Sequence, residues 1–138
     1  FGDNHIYGGK IFYQDTPELI WYAGGKVNLK WGCISHRGLR KVDADNFSAP
    51  IKTDYVTGCC LFTSIEVMKH LEGFDERFNM YGEDVDFCLR AKKVDINCYY
   101  WPDAKLWHNV SASLGGEFAI SKLLRKYKSL SKLYFKYK

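Results

Sequence analysis

The chain lacks any apolar stretch close to the roughly 20 residues that a membrane-spanning helix needs. Its first residues carry no signal-peptide pattern. It has no C-x-x-C pair, so zinc-ribbon spacing is absent. No internal repeat and no low-complexity segment is present. Acid is scarce at one end only. Between positions 117 and 138 there is one acidic residue, Glu117, against seven basic ones.

What is present describes a folded domain. The 138 residues are 46% hydrophobic and 26% charged, which excludes a disordered chain. The length suits one folding unit. The opening Phe1-Gly2-Asp3-Asn4 does not start with Met and is expected to belong to a longer protein. Aromatic residues reach 17%. That content fits a rich core, or a surface that stacks on sugars or bases.

Five cysteines (Cys33, Cys59, Cys60, Cys88, Cys98) make an odd number. Reduced thiols in a cytoplasmic protein are the simplest expectation. Cys59 and Cys60 in an apolar run predict two core residues facing opposite ways on a strand. In that setting the glycosylation-like triplets at Asn46 and Asn109 are chance matches.

The net charge of +4 divides unevenly. The tail carries nearly all the basicity, and the remaining body is slightly acidic. Leu123, Tyr127, Leu130, Tyr134 and Tyr137 step by three and four, which predicts one apolar face on a basic amphipathic helix. Three readings stay open for it. It packs as a terminal helix with lysines in water, lies on an anionic membrane surface, or meets nucleic acid. The acidic body argues against the last.

Lys10–Tyr13 and Leu19–Tyr22 predict short strands, the second stopped by Gly24-Gly25. Residues 28–50 read as one long loop. Tyr55–Phe62 predicts a buried strand broken by Gly58, which marks a bulge or a place where something approaches the backbone closely. Thr63 and Glu66 fit a capping box for a short helix with Ile65, Met68 and Leu71 inside and Gly73 at its end. Residues 83–93 predict a second helix, with Val85, Cys88 and Leu89 buried. Residues 96–101 predict a strand that ends at Pro102.

Two features carry chemistry. Glu83, Asp84 and Asp86 crowd one helix start, where the helix dipole favours negative charge. Such a cluster is a solvated acidic turn, or it faces a cation or a hydroxyl awaiting deprotonation. His108 follows in an aromatic setting. A lone His is structural, or beside carboxylates it is a metal ligand.

The runs Tyr55–Phe62, Gly73–Phe78, Tyr81–Arg90, Pro102-Asp103-Ala104 and Trp107-His108 together resemble the C-terminal half of family 2 glycosyltransferases, in order and in spacing. Rhamnosyltransferase-like and galactosyltransferase-like members of bacterial polysaccharide synthesis are most similar. The resemblance spans residues 5–113 and implies an α/β fold. It is the acceptor-side part of the GT-A nucleotide-sugar transferase fold, a mixed sheet flanked by helices. Residues 114–138 are then an appended basic helix. The resemblance implies an inverting transfer from a nucleotide-sugar donor to a glycan or lipid-linked acceptor. It makes Asp84 the general base, with Glu83 beside it holding acceptor hydroxyls. Trp21, Gly58, Cys59, Cys60, Asp86 and Arg90 fall among the substrate-binding positions, and His108 is a ligand of a divalent cation, Mn²⁺ or Mg²⁺. That cation is expected only with the nucleotide-binding half. The implied place of work is cytoplasmic, at the inner face of the plasma membrane, with no nucleic acid as partner; an exposed sheet face or edge is expected to be covered by self-association or by the C-terminal helix. Two departures stand out: the only Asp-x-Asp strings, Asp43-Ala44-Asp45 and Asp84-Val85-Asp86, do not sit where the family places its metal motif, and the Arg-Asn pair of many relatives is missing beyond Ser113. A noncatalytic carbohydrate-binding module is the rival reading.

Overall fold

In the computed structural model, residues 2, 4–78, 81–109 and 120–138 are described. The central strand is β1 (Ile6–Tyr13), longer than its apolar core Lys10–Tyr13 suggests. It pairs in parallel with β8 (Cys98–His108), from Ile6↔Cys98 to Tyr13↔His108. Its other edge is shared. β2 (Leu19–Tyr22) pairs with its C-terminal half and β7 (Leu61–Phe62) with its N-terminal half, both antiparallel. β5 (Lys41–Val42) extends the sheet beyond β2, and β6 (Ile51–Thr53) closes it beside β8. The result is a mixed sheet with short outer strands.

β8 does not stop at Pro102. Gly9 faces Trp101 but Lys10 faces Lys105, so Pro102, Asp103 and Ala104 form a bulge against β1. Proline is tolerated there because a bulged residue makes no regular ladder bond. The bulge presses on β1: a Cβ on Gly9 would lie 2.4 Å from the Ala104 carbonyl oxygen. The buried Lys10 ammonium donates to both carboxylate oxygens of Asp43 at 2.7 Å, tying the segment after β5 to the central strand.

Residues 28–50 are more ordered than a loop. They hold most of a second small sheet, β3 (Gly25–Asn28) with β4 (Cys33–His36), then β5 and a 3-10 turn at Asp45–Phe47. Gly25 is fixed by packing: a Cβ there would sit 2.2 Å from the Tyr55 ring.

The expected strand over Tyr55–Phe62 is a 3-10 turn, Gly58–Cys60, leading into the two-residue β7. Cys60 is buried and Cys59 exposed, so their opposite orientation comes from a turn. All five cysteines are free thiols. α1 (Ile65–His70) is capped by Ser64, whose hydroxyl accepts the Val67 N–H at 3.2 Å. Thr63 instead donates to the His5 carbonyl at 3.0 Å. The helix buries Val67, while Ile65 is exposed and Met68 half-buried.

α2 (Glu83–Lys93) has the expected bounds, and Val85, Cys88 and Leu89 are buried as its spacing demands. Its N-cap is Gly82 at φ +91°, preceded by Tyr81 at φ +71°. α3 (Ile120–Tyr137) is the basic helix. Its inner face is shifted from the expected stripe. Leu133 is buried, Leu130 and Tyr137 are half-buried, and Tyr127 is exposed. The Leu123 side chain and the 114–119 part of the tail lie outside the described residues.

Candidate active site

The C-terminal end of β8, the bulged part of β2, the Gly58–Cys60 turn and the first turn of α2 meet through side chains. The register between β1 and β2 slips at Ile11/Phe12, opposite Trp21. The Trp21 ring lies 4.9 Å from His108 and 4.5 Å from His36, centroid to centroid. The His108 Nε2 lies 3.9 Å from the Cys59 thiol. Asp84 reaches the same turn, its Oδ2 accepting the Gly58 N–H at 3.0 Å. Its Oδ1 accepts the Val85 N–H at 2.8 Å. Both oxygens are thus held by backbone donors, which fixes the carboxylate without a side-chain partner.

Gly58 meets Asp84 at ordinary distance: a Cβ would stand 3.8 Å from the Asp84 Cβ. Nothing crowds this glycine as a close approach would; its backbone N–H instead holds the Asp84 carboxylate. Cys60 packs beneath, its sulfur 3.0 Å from where a Gly9 Cβ would be. Cys60 is buried and Cys59 is exposed.

The field here is negative. Burial pushes the Glu83 carboxyl above its usual range, and Asp84 adds to that rise. One Glu83 oxygen is buried with no hydrogen-bond partner among the described residues. Burial also raises the Cys59 thiol, and the charges of Asp84 and Glu83 raise it further. Cys59 therefore remains a thiol at neutral pH rather than a thiolate nucleophile. The Tyr55 phenol is pushed well above its ordinary value by burial and then by Asp84.

The structure thus brings Trp21, Gly58, Cys59, Cys60, Asp84 and His108 into one contiguous region, with Glu83 beside Asp84. It does not bring Asp86 and Arg90 there. Asp86 is fully buried on another face of α2. Its carboxylate pairs with Arg90 at 2.9 Å and with Lys136 at 2.6 Å, and accepts the Tyr137 hydroxyl at 2.7 Å. Arg90 also donates to the carbonyls of Leu71 and Gly73. Both residues join α2 to α3 and to the end of α1. Two residues along a helix turn it by about 200°, so Asp84 and Asp86 cannot share a site.

His36 is the residue that sequence reading missed. It lies in β4 opposite Gly25, and its Nδ1 lies 3.1 Å from the Trp21 carbonyl. Its segment has no periodicity to mark it. Among the described residues, no three His, Cys, Asp or Glu side chains converge to hold a metal ion. A cation at His108 would need its other ligands from elsewhere.

Comparison with known proteins adds direction. No family model matches the chain. It is 30% identical over 122 residues to the uncharacterized protein y4gI of Sinorhizobium fredii, covering 80% of this chain and 12% of that protein. It is 28% identical over 123 residues to the O-antigen biosynthesis protein RfbC of Myxococcus xanthus, covering 75% of this chain and 10% of that protein. Over 61 residues it is 36% identical to an N-acetylglucosaminyl-diphospho-decaprenol L-rhamnosyltransferase of Mycobacterium tuberculosis, covering 44% of this chain and 20% of that protein. The chain therefore spans between a tenth and a fifth of the length of these curated relatives. The names among them point to glycosyltransferases of polysaccharide or cell-wall synthesis.

Proposed function

We propose that this chain is the acceptor-side part of an inverting, family 2 glycosyltransferase of GT-A fold, acting in bacterial cell-surface polysaccharide synthesis. The observation that carries it is Asp84. Its carboxylate is fixed by two backbone N–H groups at the start of α2, in a region that also holds Trp21, Cys59 and His108. The similarity to a named rhamnosyltransferase supports the same reading.

The chemistry follows from those groups. Asp84 takes the proton of an acceptor hydroxyl as that oxygen bonds to the anomeric carbon of the donor sugar. The bond from that carbon to the nucleotide diphosphate breaks on the opposite face, and its electron pair leaves with the diphosphate. Configuration inverts. Glu83, whose carboxyl burial raises above its usual range and one of whose oxygens has no partner among the described residues, hydrogen-bonds acceptor hydroxyls. The Trp21 ring offers the apolar face of a sugar a stacking surface. The described residues do not form a cation site by themselves. No step is assigned to a metal, and His108 contributes one ligand at most. On this reading the transferase works at the cytoplasmic side of the membrane on a saccharide or lipid-linked acceptor.

The test is Asp84→Asn in a protein carrying this chain together with a nucleotide-binding half, followed as nucleoside diphosphate release. Turnover should fall about 10²–10⁴-fold while the melting temperature holds. Undiminished turnover sinks the base assignment. The chain alone should release none. A second reading, a noncatalytic carbohydrate-binding module, is favoured by the exposed Trp107 stacked on Phe12. Calorimetric titration of the chain with oligosaccharides separates the two. Tight sugar binding, unaffected by Asp84→Asn, would favour the module.

A further inference from the structure

We propose that the outer face of α3, together with the tip of the β3–β4 turn, is a docking surface for an anionic lipid membrane. The argument starts from what α3 leaves uncovered. The inward face is spent on the body: Leu130 and Leu133 meet Val27, Leu29 and Ile34 of the β3–β4 unit, and Tyr137 and Lys136 meet Asp86. The apolar stripe visible in the sequence is thus largely consumed by the fold.

A second apolar set remains outside. Leu124 is 64% exposed, and Tyr127 and Phe135 are each 75% exposed. At about 100° per residue, these three share an arc of about 100° with Lys128, Ser131 and Lys138. Large apolar side chains interleaved with lysines on one exposed face suit the boundary between headgroups and acyl chains. The neighbouring turn continues the surface. Trp31 is 75% exposed, and the Lys30 ammonium lies 5.6 Å over its ring. The adjacent Gly32 approaches Tyr134, whose ring stands 5.7 Å from Phe135. The Lys138 ammonium lies 5.3 Å over Tyr134. Tryptophan and tyrosine with lysine beside them are interfacial anchors.

Charge selects the partner. Residues 120–138 contain seven basic side chains and no acidic one. A protein partner would need an equally one-signed acidic patch, whereas a bilayer of anionic lipid supplies that charge over its whole surface. No described helix is long and apolar enough to cross a membrane, so α3 lies in the interface plane. The surface is carried by a helix fastened to the same α2 that bears the candidate site. Tyr137 and Lys136 grip Asp86, two residues from Asp84 on the same helix.

The test is co-sedimentation of the full chain with vesicles of phosphatidylcholine alone and of phosphatidylcholine mixed with phosphatidylglycerol. The chain should sediment with the anionic vesicles at low salt and be released by added salt. Its Trp emission should shift to the blue, and the shift should shrink in Trp31→Phe. Replacing Lys128 and Lys138 by Gln should lower partitioning about fivefold per lysine. Leu124→Ser, Tyr127→Ser and Phe135→Ser together should abolish it, with an unchanged melting curve because all three are exposed. Sedimentation with neither vesicle, or of the triple variant as well as the parent, overturns the proposal. So does a concentration-dependent dimer that the triple variant dissolves while lipid binding is absent, because the face is then a contact between two copies.

Discussion

Two faces of one helix set the terms for the molecule. At the start of α2, Asp84 faces the Gly58–Cys60 turn, held by backbone N–H groups alone. A half-turn away, Asp86 is buried and held by Arg90, Lys136 and Tyr137. In sequence the two aspartates look alike, two members of one acidic cluster. In space one is poised against open chemistry and the other is the pin that fastens α3. An acidic run on a helix is therefore not one site but as many sites as it has faces.

The comparison breaks most sharply under matched substitution. Asp84→Asn should cost on the order of 10²–10⁴-fold in transfer rate, the usual range for a lost proton acceptor, with little loss of stability. Asp86→Asn should do the reverse. It removes the charge that Arg90 and Lys136 share, and breaking a buried ion pair costs about 3–5 kcal/mol. Denaturant unfolding and turnover measured on both variants decide the matter. If Asp86→Asn unfolds normally, α3 is not fastened as the structure shows.

A gentler probe reaches the pin alone. Tyr137→Phe keeps the ring and deletes the hydroxyl that donates to Asp86 at 2.7 Å. A hydrogen bond to a charged group is worth about 1.5–3 kcal/mol, and this half-exposed one should fall at the low end. Protease cleavage within α3 should rise in proportion, while the Cys59–His108 end of the site is untouched.

How much of this was legible depends on how local each cause is. The bounds of α2 were readable because acids at its start, lysines at its end and the spacing of Val85, Cys88 and Leu89 are all local signals. Ser64 capping in place of Thr63 needed tertiary knowledge, since Thr63 is claimed by His5, far away in sequence. Pro102 reads locally as a stop, yet the parallel partner β1 carries β8 past it by bulging. The β3–β4 strands alternate in burial, but over only four residues each and with few apolar residues to mark them, and Gly25 under the Tyr55 ring fixes their place. The resemblance marks Asp84, Cys59 and His108 as candidates, and the fold of a turn, a strand end and a helix start brings them together. The separation of Asp86 from Asp84 follows from helix geometry. The outward stripe of α3 was hidden because two apolar sets overlap on that helix, and only packing tells which one is buried.

Glu83 offers the finest test, because it sits beside Asp84 but has no backbone donor holding its buried oxygen. Burial raises its carboxyl above the ordinary value, and Asp84 raises it further. Its folded pKa therefore lies above its unfolded one, near 4.3 for a free Glu. Stability linked to this group is fully present below that value and is lost as pH rises through the folded pKa. Above the folded pKa, holding Glu83 ionised is thus a burden on the fold. Glu83→Gln should raise the melting temperature at pH 7 and leave it unchanged near pH 3. The same variant should lower transfer, since Gln cannot accept as strongly from an acceptor hydroxyl. A stabilised but weakened enzyme is the signature of a residue kept for chemistry at the expense of packing. Equal melting shifts at both pH values would instead make Glu83 an ordinary member of a solvated helix turn, and leave Asp84 to act alone.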